Sequence, residues 1–137
     1  MTGSPRSSAI EVPDPRRLIL IVDDEPTVRA IVSASIRVSG SRYRVLEAAT
    51  AADAISQAER EQPDLVLLDV ALPDHDGFWV CHALKTGPST SHILIIMLTA
   101  MSLASDRNRA AEAGADGYIV KPFSPRALLA ELDQRLP

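Results

Sequence analysis

Short runs of consecutive apolar residues alternate along most of the chain with longer stretches in which apolar positions recur every three or four residues. The runs are LILIV (residues 18–22), DLVLLDV (64–70), ILIIML (93–98) and GYIV (117–120), with the more polar YRVLEA (43–48) as a fifth. Near-continuous Val, Ile and Leu over four to seven positions predicts strands buried on both faces, and the polar admixture of YRVLEA predicts an outer strand. The stretches between them predict helices. Residues 26–38 open with Pro26 in a first-turn position and place Val28, Ile31, Val32 and Ile36 on one face. Residues 51–61 follow Thr50, an N-cap with Asp53 three positions on, and Pro63 closes them. Residues 77–86 carry Val80, Cys81 and Leu84 on one stripe, residues 103–113 end at Gly114, and residues 125–136 follow Ser124 and repeat Leu128, Leu129, Leu132 and Leu136.

Strand followed by helix, five times over, predicts a parallel sheet with helices on both faces, because parallel crossovers are right-handed and must lie on a face. The fold class is therefore α/β, a doubly wound, five-stranded parallel sheet of (βα)5 form. In such sheets ligands bind beyond the carboxyl ends of the strands, where the strand order reverses. The residues that matter are those at strand ends.

At 137 residues the chain fits one domain, expected over residues 17–137, with the Ser- and Pro-rich residues 1–16 as a flexible leader. A net charge of -4 without a Lys/Arg cluster larger than Arg16-Arg17 argues against direct nucleic-acid binding. One cysteine, Cys81, excludes an internal disulfide and a thiolate zinc site. The apolar runs fall far short of the roughly 20 residues of a membrane helix, and residues 1–17 hold no signal core, so a cytoplasmic location is expected.

Asp23 and Asp24 close the first strand, Asp69 the third, Thr99 the fourth and Lys121 the fifth. Polar residues gather wherever strands emerge into loops, but five of them on strands expected to be central make a site. Three adjoining carboxylates repel unless a cation neutralises them. An oxygen-only set without His or Cys points to a hard ion, Mg²⁺ rather than Ca²⁺, since no twelve-residue calcium loop is present; Mn²⁺ is the alternative ion. With such an ion in place Asp69 is a nucleophile toward phosphorus, and Thr99 and Lys121 hold phosphoryl oxygens.

These residues resemble the receiver domain of two-component response regulators, a resemblance that implies a flavodoxin-like form of the sheet. LIVDDEP resembles its acidic first-strand motif, and DLVLLDVALPDHDGFWVCHALK its phosphoacceptor segment, with Pro73 and Asp76-Gly77 at the usual offsets. IIMLTA resembles its switch-hydroxyl strand and AGADGYIVKPF the segment with its lysine; together the motifs cover residues 17–136. The resemblance implies that Asp69 accepts a phosphoryl group from a partner histidine kinase or phosphotransfer protein. It implies Asp24 as a direct Mg²⁺ ligand, Asp23 acting mainly through water, the carbonyl of Ala71 as a further ligand, and a cis peptide between Lys121 and Pro122. Thr99 and Tyr118 become the switch pair. Ala71 and Met101, at two positions that vary within the family, flank the path of attacking water and are apolar, so self-dephosphorylation is expected to be slow. Small Ala100 leaves Asp69 open to donors.

Other features have plainer readings. His75, His82 and His92 share no metal-ligand spacing, Cys81 reads as a core residue, and Trp79 reads as half-packed against a neighbouring helix. The family's surface of fourth helix, fifth strand and fifth helix makes a homodimer or output contact a candidate, with Arg107, Arg109, Arg126 and Asp133 on it. The reading is of a switch that is not an enzyme on external substrates. A haloacid-dehalogenase-type phosphohydrolase would need Asp-x-Asp on the first strand, and a pseudo-receiver used only for protein contacts usually lacks one of the five rim residues. The sequence ends with the fifth helix, which leaves a stand-alone regulator and a receiver taken from a longer protein as the two expectations.

Overall fold

Each apolar run becomes a strand and each amphipathic stretch the helix after it, in a computed structural model that describes residues 14–38, 42–100 and 104–136. In chain order these are β1 (Arg17–Val22), α1 (Pro26–Val38), β2 (Tyr43–Ala48), α2 (Ala51–Glu61), β3 (Leu65–Asp69), α3 (Gly77–Thr86), β4 (Leu94–Thr99), α4 (Ala104–Glu112), β5 (Gly117–Val120) and α5 (Pro125–Arg135). The caps read from sequence form: Thr50 Oγ1 accepts from the Asp53 amide at 3.1 Å, and Ser124 Oγ from the Ala127 amide at 3.0 Å. Gly114, just beyond α4, has φ +92°, a conformation that costs glycine nothing. Residues 1–13 of the expected leader lie outside the described residues. From Asp14 on, the chain is tied to the sheet edge, Asp14 pairing with Arg16 at 2.8 Å and Arg44 at 3.3 Å.

All strand pairs are parallel, in the order β2-β1-β3-β4-β5. The chain steps from β1 outward to β2, then returns to the opposite side of β1 for β3, so the order reverses between β1 and β3. Side chains alternate between two cores because successive residues of a strand face opposite ways. Leu20, Val22, Val66, Leu68 and Met97 pack under α2, α3 and α4. Ile19, Ile21, Leu65, Leu67, Ile96 and Leu98 pack under α1 and α5. β2 lies at one edge, as its polar sequence predicts. β5 lies at the other, with all four residues half-buried, so the expectation that every rim residue stands on a central strand fails for Lys121.

One helix face differs from its periodicity. Of the α1 positions expected inward, Val32 and Ile36 are buried, but Ile31 is 56% exposed, and Ser33 is buried in its stead. Ile31 instead borders an open apolar groove of about 410 Å³ formed with Val28, Val32, Ala100, Lys121, Pro122 and Phe123.

Candidate functional site

The register sets the site. Val22 is paired with Leu68 and Asp69 with Leu98, so Asp23, one residue past the end of β1, stands beside Asp69 at the reversal point. Oxygens of Asp23, Asp24 and Asp69 lie within 4.8 Å of one another. Asp23 and Asp69 are buried, whereas Asp24 is exposed at the mouth. A cavity of about 310 Å³ opens above them, lined by Asp24, Glu25, Asp69, Val70, Ala71, Thr99, Ala100 and Lys121. All five rim residues expected from sequence thus meet at one place.

The Asp69 carboxyl is pushed up to about 6, first by burial and then by the neighbouring Asp23 charge; Lys121 and the Ala71 amide, which donates to it, oppose the rise. A bound cation would favour the ionised form that burial and the Asp23 charge disfavour. The donor set fits a hard divalent ion: oxygens only, clustered, two of the three buried.

Lys121 Nζ is 2.8 Å from Asp23 Oδ2 and 3.5 Å from Asp69 Oδ1. The Lys121 amide donates to the Thr99 carbonyl at 2.7 Å, which carries the β4–β5 pairing one residue past Val120 and aims the ammonium back over the sheet. The Lys121-Pro122 peptide is cis. Thr99 is buried, and its side chain is hydrogen-bonded to the phenol of Tyr118. Tyr118 is half-buried, burial holds its phenol above the usual range, and the Arg107 guanidinium lies 5.4 Å from its ring centre.

Asp23 uses every oxygen. Its Oδ1 accepts from the Glu25 amide at 3.0 Å, Oδ2 from Lys121, and its carbonyl from Arg29 Nη1 at 2.7 Å. Arg29 is itself held by Glu47 of β2, Nε to Oε1 at 3.2 Å, and Ser33 Oγ donates to the other Glu47 oxygen at 3.1 Å. Behind Asp69, Gly77 presses on the backbone: an added Cβ would clash with the Asp69 carbonyl oxygen and lie 2.8 Å from Val70 Cα. Asp74, in the loop after β3, accepts from the amides of Ala51 and Ala52 at 2.8 and 3.0 Å, fastening that loop to the start of α2. Arg29, Glu47 and Asp74 were not among the residues expected from sequence. Only Arg29 left a trace there, as a cation in the first turn of a helix, where the helix dipole disfavours one.

Cys81 is buried and burial pushes its thiol up to about 12. His82 and His92 are exposed, while His75 stacks on Trp79 with ring centres 3.9 Å apart, so Trp79, 47% exposed, meets a loop histidine where a neighbouring helix was expected. Arg109 lies 4.3 Å from the Phe78 ring centre and 3.7 Å from Asp76, and Asp133 accepts from Tyr43 at 2.6 Å and Arg42 at 2.9 Å. Both of these surface candidates therefore have partners within the chain. Met101 lies outside the described residues.

The family model for the response regulator receiver domain matches residues 19–133. The probable transcriptional regulator ycf27 of Porphyridium aerugineum is 46% identical over 114 residues, which are 83% of this chain and 45% of that protein. The phosphate regulon transcriptional regulatory protein PhoB of Pseudomonas aeruginosa is 41% identical over 116 residues, 85% of this chain and 50% of PhoB. The chain thus spans about half the length of the curated relatives it matches. Among solved structures, a putative response regulator from Chloroflexus aurantiacus superposes with a TM-score of 0.82 at 36% identity, covering 88% of this chain and 98% of that one. A CheY-like receiver domain protein from Methanospirillum hungatei gives 0.81 at 31% identity, covering 88% and 94%.

Proposed function

The chain belongs to the response regulator receiver family, and from that premise we propose that it is a phosphorylation-controlled signalling switch in which Asp69 is the phosphoacceptor. The observation that carries this reading is the position of Asp69: buried at the strand-order reversal, facing an open cavity, clustered with two further aspartates and within 3.5 Å of the Lys121 ammonium.

A carboxylate oxygen of Asp69 attacks the phosphorus of a phosphohistidine on a partner kinase or phosphotransfer protein. The P–N bond breaks, and the imidazole nitrogen leaves with its electron pair. Lys121 meets the phosphoryl oxygens as a point charge, and the Thr99 hydroxyl donates to one of them, leaving its present bond to Tyr118. Asp24 and Asp69, the Ala71 carbonyl, and Asp23 through water are the residues proposed to hold Mg²⁺ or Mn²⁺. The ion, when bound, offsets the charge of the carboxylates and of the incoming phosphoryl group. Added negative charge at Asp69 then biases the Thr99–Tyr118 pair. This is transfer to the protein itself, and no external substrate is turned over.

Relatives named as transcriptional regulators support control of transcription as the output, with DNA contact made outside residues 17–136. Among the described residues no helix is long and apolar enough to cross a membrane, which fits a cytoplasmic site of action. A homodimer through α4, β5 and α5 is the assembly proposed.

The test is incubation with a small acyl phosphate and Mg²⁺, read by intact mass. Wild type is expected to gain one phosphoryl group and Asp69→Asn none. No gain in wild type, or equal gain in the variant, would reject the reading.

A further inference from the structure

We infer that Arg29, held by Glu47, is a positioning residue for the ion-binding turn at Asp23 and Asp24; this rests on the metal-assisted reading of the site given above. Arg29 touches neither carboxylate of that turn. Its guanidinium donates from Nη1 to the backbone carbonyl of Asp23 at 2.7 Å, and that carbonyl belongs to the peptide joining Asp23 to Asp24. Fixing the plane of this peptide fixes the direction in which Asp24 leaves the chain. Asp24 is the exposed member of the three acids and has the most freedom to lose.

The guanidinium is itself aimed. Glu47 takes Arg29 Nε on one oxygen at 3.2 Å and Ser33 Oγ on the other at 3.1 Å, so both carboxylate oxygens are committed. Glu47 is registered opposite Ile21 of β1, and its carbonyl accepts from Gln57 Nε2 at 2.8 Å. The fork therefore stands on β2 and reaches over the end of β1. Its location is costly in two ways. A cation in the first turn of α1 opposes the helix dipole, and the Arg29 side chain is only 18% exposed. A helix tie alone could be made from the last turn, where a basic residue is favoured. The bond to the Asp23 carbonyl is what this position uniquely permits, and charge-assisted bonds of this kind hold geometry firmly.

Partners that orient metal-binding groups, when removed, typically cost roughly 10- to 100-fold in ion affinity. Arg29→Gln is accordingly expected to weaken Mn²⁺ binding to the whole chain, measured by water-proton relaxation, by about tenfold. At saturating Mg²⁺ its rate of phosphorylation by an acyl phosphate should return to within about twofold of wild type, since a positioning residue acts on binding of the ion. Arg29→Lys, which keeps a cation for the carbonyl without the fork, should fall between. Equal Mn²⁺ affinity in a folded Arg29→Gln protein overturns the inference. So does a deficit in phosphorylation rate that saturating Mg²⁺ leaves in place. If Arg29→Gln gives no cooperative thermal transition, Glu47→Ala is measured instead; it leaves the guanidinium but removes both oxygens that anchor it, and unchanged ion affinity there likewise overturns the inference. Failure of wild type to bind Mn²⁺ rejects the metal-assisted reading itself, a result separable from any difference between variants.

Discussion

Lys121 Nζ stands 2.8 Å from Asp23 Oδ2, and that carboxylate is fully buried. The pair joins residues 98 positions apart and closes the rim from β1 to β5. Removing the ammonium leaves two acids facing each other below the surface. Lys121→Ala is expected to destabilise the metal-free protein toward the low end of the roughly 3–5 kcal/mol typical of a broken buried pair, because Lys121 itself reaches solvent. Urea midpoints at pH 7.5 measure it. The loss should shrink as pH falls toward about 6, because Asp69, without the ammonium that opposes its rise, takes up its proton at a higher pH in the variant than in wild type.

Asp69 itself works against the metal-free fold at neutral pH. Its carboxyl is raised from 3.8 to about 6, so the folded chain holds this proton more tightly than the unfolded chain does. The stabilising contribution is fully present below about 3.8 and is lost as pH rises through about 6. It amounts to roughly 3 kcal/mol at most. Asp69→Asn should therefore melt higher than wild type at pH 7.5 without metal, and the difference should vanish near pH 4. Adding Mg²⁺ should raise the wild-type transition more than that of the variant. A variant that melts below wild type at pH 7.5 would contradict this.

Gly77→Ala is expected to be severe for a first-turn helix position. The new methyl would overlap the Asp69 carbonyl and crowd Val70, both of them backbone, so nothing flexible can yield. A cost of about 1–3 kcal/mol from overpacking is expected, together with slower phosphorylation because the acceptor shifts with its own carbonyl. Denaturant midpoints and phosphorylation rates on the same sample report both effects.

The lifetime of a phosphoryl group on Asp69 tests the apolar lining of the site. Ala71 lines the cavity and cannot hold a water molecule in line with the phosphorus. Wild type is expected to lose the group slowly. Ala71→Asn, which supplies a polar side chain for that water, should hasten the loss by about tenfold. Loss followed by intact mass after removal of donor gives both rates, and a wild-type half-life of seconds would contradict the expectation.

Much of this molecule could be read from residue order alone, for identifiable reasons. The three inner strands are apolar because both of their faces are covered, and that continuity marks them without any knowledge of their neighbours. That Asp23, Asp24, Asp69, Thr99 and Lys121 lie together could be read because strand ends are local features and the fold class says which ends converge. Ile31 misled because periodicity marks the apolar stripe of a helix but not which of its positions are covered, and Ile31 borders an open groove. GYIV looked as central as LILIV because an edge strand flanked by two helices can remain apolar. Arg29 with Glu47 and Asp74 with Ala51 escaped because each contact joins different elements, 18 and 23 residues apart, and only the completed strand order brings them together.

The gradation of burial across the sheet bears on how the site can move. β3 is buried at every residue and β1 at all but its first, whereas all four residues of β5 are half-exposed. Displacing Asp23 or Asp69 would strain two cores at once; displacing Lys121 or Tyr118 disturbs one short strand with solvent beside it. The rim is thus rigid where it grips charge and compliant where it carries the lysine and the tyrosine. Work done by a new charge at Asp69 has one soft direction in which to be released, toward β5 and the helix α4 beside it.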